Sequence, residues 1–203
     1  MASFSSPYGL RPTGKMTGRD GGAIASLPLT VNNATAIFYG DPIHLASGVI
    51  TPCTASPTTS QNANTPVGVF VGCRYTDPVR GLVCSQYLPA NAVNSGFTNI
   101  IIEYCDDPNQ RFVVQADGPV GLNKIGQNAA LTNFGNGSTA TGNSKVQLQS
   151  SSIATTATLA VKIVDLVNST SDSPAGSVPG DAFTDVIVVW NQGVHAYENQ
   201  TGA

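Results

Sequence analysis

The chain has 203 residues, nine of them Lys or Arg and twelve Asp or Glu, for a net charge of −3. Globular proteins average about 25% charged residues, so 10% leaves too few ionisable groups to solvate a free surface in the usual way, and much of the surface is expected to meet other protein. No run of Lys or Arg occurs, so counterion release cannot drive binding and nucleic acid is not an expected partner.

Residues 1–20 carry Pro7, Gly9, Pro12, Gly14 and Gly18, which predicts an extended arm without a regular element. This start has no apolar stretch of signal-peptide type, and no segment approaches the ~18 apolar residues of a membrane span. A protein made in a cytoplasm, with no membrane partner, is the expectation. Beyond the arm, Gly, Pro, Asn, Ser and Thr recur about every eight to twelve residues between short Val/Ile/Phe/Tyr runs, the punctuation of an all-β, antiparallel sandwich or barrel. Strands are predicted over 23–31, 36–45 with a break at Gly40-Asp41-Pro42, 67–75, 81–88, 99–104, 111–116, 145–149, 158–167 and 183–190. Residues 21–191 then form one β-sandwich body, and 192–203 a carboxy-terminal tail.

Turn formers at Thr76-Asp77-Pro78-Val79-Arg80 predict a hairpin, and Asp106-Asp107-Pro108-Asn109 predicts a second one. In 158–167, Leu159, Val161, Ile163 and Asp165 share one parity, read as core, and Lys162 lies on the wetter face. The stretches 54–66, 126–144 and 168–181 read as long polar loops.

Chemistry-bearing patterns are sparse. Cys53, Cys73, Cys84 and Cys105 are too widely spaced for a CxxC pair and read as ordinary reduced thiols. His44 and His195 stand far from any ligand cluster, which argues against zinc. The acidic turn at Glu103, Asp106 and Asp107 has oxygen ligands for calcium without the EF-hand spacing, and the same residues make a good turn with no ion. No Gly-x-Ser-x-Gly elbow, P-loop, dinucleotide fingerprint or HExxH is present, so neither an enzyme nor a cofactor is expected. Tyr8, Leu10 and Arg11 set an aromatic, an aliphatic and a guanidinium side chain on the arm, the types that anchor interfaces. The arm either reaches to a partner through them or folds back on its own domain.

Taken together, PYGLRP, ATAIFYGDPIHL, PVGVFVGCRYTDP, SQYLP, RFVVQADGP, GNGSTATGNSKVQLQSSSIATTATLAVKIVDL and PGDAFTDVIVVW resemble structural proteins of tailed bacteriophage heads, of the capsid cement or decoration type. The resemblance runs from Pro7 to Trp190. It implies a virion protein on the capsid surface that binds the major capsid protein, with a β-sandwich or jelly-roll body and a homotrimeric state, and it supplies no catalytic or ligand residues. A head-fibre or tail-associated module binding host surface glycans is the alternative.

Overall fold

A computed structural model describes residues 4–15, 24–46, 48–59, 64–167 and 181–198. The chain forms β1 (Arg11–Lys15), β2 (Ile24–Pro28), β3 (Ile37–Phe38), β4 (Pro42–Ala46), β5 (Val49–Pro52), β6 (Pro66–Asp77), β7 (Gly81–Ser85) and β8 (Tyr87–Leu88). There follow β9 (Thr98–Cys105), β10 (Gln110–Gln115), β11 (Asn128–Ala129), β12 (Leu131–Thr132), β13 (Gln147–Leu148), β14 (Val161–Leu166) and β15 (Asp185–Trp190), with three short 3-10 turns as the helical content among the described residues. The fold is all-β and sandwich-like, and every pairing between named strands is antiparallel.

Two sheets carry the structure. One has the order β1-β10-β15-β14-β11, the other β2-β9-β6-β4-β5 with β7 also on β6. Each sheet gathers its own apolar cluster. The first contains Leu10, Phe112, Val114, Val161, Ile163, Val186, Val188 and Trp190, and the second Ile37, Ile43, Phe70, Tyr75, Leu88, Ile100 and Ile102. Alternation on β10 and β15 sends Phe112, Val114, Val186 and Val188 inward, where each fully buried aliphatic or aromatic side chain contributes about 1.5–3 kcal/mol. Val69 belongs to the first cluster while Val67 and Phe70 belong to the second, so β6 runs along the seam between them.

Several sequence expectations change. The Asp106–Asn109 turn does not close a hairpin: β9 lies in the second sheet and β10 in the first, so the turn carries the chain across the seam. The predicted hairpin at Asp77 is present, with Cys73 to Asp77 of β6 paired to Ser85 to Gly81 of β7. In β14 a register shift between Ile163 and Asp165 reverses the parity, exposing Asp165 and burying Leu166. The polar stretch 126–144 contains β11 and β12, and most of 168–181 lies outside the described residues.

The ends are not free arms where they are described. β1 pairs with β10, with Arg11 opposite Val113 and Thr13 opposite Arg111. Pro12 is tolerated there because β1 is an edge strand. At the other end, Val194 enters the first core and Ala196 packs against the second, so the carboxy-terminal segment crosses the seam as well.

Candidate functional site

The three candidate anchors fall on the body of their own chain. Leu10 has no exposed surface and is a core residue of the first cluster, which removes it as a partner anchor. Its aliphatic side chain gains more from burial here than from water. The Tyr8 hydroxyl donates to Asp185 Oδ1 at 2.8 Å, and burial, with the Asp185 charge, raises its pKa. Arg11 remains exposed, its guanidinium 4.4 Å from the Tyr8 ring centroid, a cation–π contact. Farther back, Gln115 holds the segment as a strand would: its Oε1 accepts from Ser6 N–H at 2.8 Å and its Nε2 donates to the Phe4 carbonyl at 3.1 Å. Phe4 itself is left 87% exposed on this pinned backbone.

Beneath Leu10 lies a buried polar junction at the seam. Leu10 N–H donates to the Gly40 carbonyl at 3.0 Å, Gly40 N–H to the Phe70 carbonyl at 2.9 Å, and Phe70 N–H to the Asp41 carbonyl at 2.9 Å. Gly9 and Gly40 pass so closely that a Cβ on Gly40 would stand 2.8 Å from Leu10 N and 2.9 Å from Gly9 Cα. The Asp41 carboxyl is buried between Phe38 N–H, which donates to Oδ2 at 2.8 Å, and the Ser144 hydroxyl, which donates to Oδ1. Ser144 Oγ in turn accepts from Val146 N–H at 3.0 Å. Burial pushes the Asp41 pKa up to about 6, against the pull of these two donors. Ser144 has no exposed surface, so the pair positions backbone and offers no nucleophile to a substrate. In the sequence, the one signal of this junction is a lone acid, Asp41, inside an apolar run.

The remaining polar groups are dispersed. Thr51 Oγ1 and His44 Nε2 share a hydrogen bond at 2.8 Å, and burial lowers the pKa of that imidazole. His195 is fully buried; its Nδ1 accepts from Tyr197 N–H at 3.2 Å and its pKa is pushed down to about 4 by burial. In the acidic turn, Asp107 Oδ1 accepts from Asn109 N–H at 2.8 Å, a turn-closing bond, and Asp106 Oδ2 lies 3.4 Å from the Tyr197 hydroxyl. Among the described residues no three His, Cys, Asp or Glu side chains converge as a metal site would require. A cleft of about 330 Å³ opens at the end of the first sheet, lined by Asn109, Lys162, Trp190, Asn191 and Glu198.

No family model, curated protein or solved structure matches this chain.

What the surface does offer is apolar. Phe4, Val79 and Leu82 are 87%, 91% and 74% exposed, and all three stand on hydrogen-bonded or strand-paired backbone. Sequence reasoning placed the anchors on Tyr8, Leu10 and Arg11 and missed these. A bulky apolar residue beside a turn gives the same local signal whether it packs inward or stands in solvent.

Proposed function

We propose that this chain is a virion structural protein: a cement or decoration subunit that binds the major capsid protein on the outer surface of a phage head and stabilises capsomer junctions. The observation that carries the reading is the surface itself, poor in charge and bearing large apolar side chains on pinned backbone, as at Phe4 and Val79. Such exposure is costly in isolation and favourable against a partner. The motif resemblance supports the same role. A lattice repeats its binding site, so contacts of modest area act together. A homotrimer belongs to this reading through the resemblance alone.

The test is cryo-electron microscopy of the virion that encodes the chain, with the head and tail reconstructed separately. Density at regular positions on the head, contacting the capsid protein, is the expected result. Density at the tail or fibres alone would shift the assignment to the glycan-binding module, and absence from the particle would overturn both.

A further inference from the structure

The strand edges of this protein are unequally guarded. The edge strands β1, β2 and β5 contain Pro12, Pro28 and Pro52, and β11 is two residues long. Proline and shortness both blunt an edge against pairing. β7, Gly81-Leu82-Val83-Cys84-Ser85, has neither proline nor charge, and among the described residues it pairs with β6 alone. Among the described residues its second edge faces no strand as far as Ser85; just beyond, the Gln86 carbonyl accepts from Tyr39 N–H at 3.0 Å.

This edge is also pre-shaped. Asp77 Oδ1 accepts from Val79 N–H at 2.8 Å and Arg80 N–H at 3.0 Å, and Gly81 takes φ +78°, which fixes the turn before β7. Val83 packs against the second core, which already holds the stacked Tyr75 and Phe97 rings 4.7 Å apart. Leu82 and Cys84, on the alternate positions, are exposed. An incoming strand would meet a rigid template with little left to order.

Charge selects the occupant. Arg74 lies opposite Cys84 in register and is exposed, as is Arg80 in the turn, and neither forms an ion pair among the described residues. Asp77 commits Oδ1 to two backbone donors, and Glu103 lies on β9, opposite Gly72, two residues from Arg74 along β6. A second copy of this edge would bring another Arg74 and Arg80 against the single carboxylate of Asp77, which leaves positive charge in excess on both sides. We infer that the free edge of β7 docks an extended segment of a partner protein by strand addition, with acidic residues flanking that segment received by Arg74 and Arg80. The inference goes beyond the capsid reading and stands without it, because it concerns strand and charge chemistry and not where the partner resides.

Two fluorescent seven-residue peptides of alternating valine and threonine test it, one ended by glutamate at both termini and one by lysine. The glutamate-ended peptide should bind saturably, at least about tenfold tighter than its twin, with the preference reversed in an Arg74→Glu, Arg80→Glu double variant. On the unaltered protein, the same peptide should slow amide exchange within residues 81–85, a readout independent of whether the variant folds. Equal binding of the two peptides, no binding of either, or protection elsewhere would overturn the proposal. So would a concentration-dependent dimer of the chain that disappears in Leu82→Lys, since the edge would then serve a second copy.

Discussion

Ser144 donates its hydroxyl to the carboxyl of Asp41, a bond that joins residues 103 positions apart, fully out of solvent. Asp41 follows the break after β3, and Ser144 precedes β13, whose Leu148 belongs to the first core while Ile37 of β3 belongs to the second. The bond therefore crosses the seam. Removing it with Ser144→Ala leaves the Asp41 oxygen and the Val146 N–H without that hydroxyl, and unmade buried hydrogen bonds cost about 1–3 kcal/mol each. Chemical denaturation should show a loss of about 2–6 kcal/mol for the two bonds together, and an unchanged midpoint would remove the junction from the stability argument.

The same seam predicts two opposed pH dependences. Asp41 has a folded-state pKa of about 6, above its ordinary 3.8, so the folded protein holds this proton more tightly. Its contribution is full below 3.8 and is lost as pH rises through 6, amounting to about 3 kcal/mol. His195 runs the other way: its folded pKa of about 4 lies below 6.5, so stability is full above 6.5 and is lost as pH falls toward 4, again by about 3 kcal/mol. Between pH 4 and 6 the two slopes oppose. Relative to the unaltered protein, Asp41→Asn should therefore gain stability with rising pH across this window, and His195→Asn should lose it. Urea midpoints taken at half-unit steps measure both; parallel profiles for all three proteins would contradict the assignment.

Residues 4–15 are expected to behave as core and not as a free arm. Leu10→Ala should cost about 2–5 kcal/mol, the range for a buried leucine whose cavity does not collapse. Tyr8→Phe, which removes one hydrogen bond to Asp185, should cost about 1 kcal/mol. Gly40→Ala combines a φ of +90° with a Cβ 2.8 Å from Leu10 N, and about 2–4 kcal/mol is expected from strain and steric conflict together. Thermal melts of the three variants, ranked with Tyr8→Phe mildest, check the set. A Leu10→Ala protein as stable as the parent would return Leu10 to the list of partner anchors.

Thiol chemistry separates the four cysteines. Cys84 is exposed on β7, while Cys53, Cys73 and Cys105 are buried. Burial raises the pKa of Cys53 and pushes that of Cys73 up to about 12, so the reactive thiolate is scarce at both. A maleimide at neutral pH should modify one cysteine in the folded protein, Cys84, and four after unfolding. Peptide mapping of the modified chain identifies the site, and prompt labelling of Cys73 would show that the second core opens.

The sequence by itself determined the all-β class, the hairpin at Asp77 and most of the long strands, because period-two burial and turn chemistry are local properties written into neighbouring residues. It also placed Val161 and Ile163 inward and Lys162 outward. It could not see the β14 bulge that turns Asp165 to solvent and Leu166 to the core, since a one-residue register shift depends on the partner strand β15. Only the tertiary structure decided that the apolar residues divide into two cores, that the Asp106–Asn109 turn passes between sheets, and that both described chain ends close over the seam. The candidate anchors illustrate the limit best. Tyr8, Leu10 and Arg11 have the chemistry of an interface, and whether that chemistry is spent on a partner or on the protein itself depends on what lies opposite. Opposite Tyr8 lies Asp185, 177 positions away, and opposite Leu10 lies the first core, neither of which is visible from neighbouring residues; the Arg11 contact with the Tyr8 ring is local to the segment.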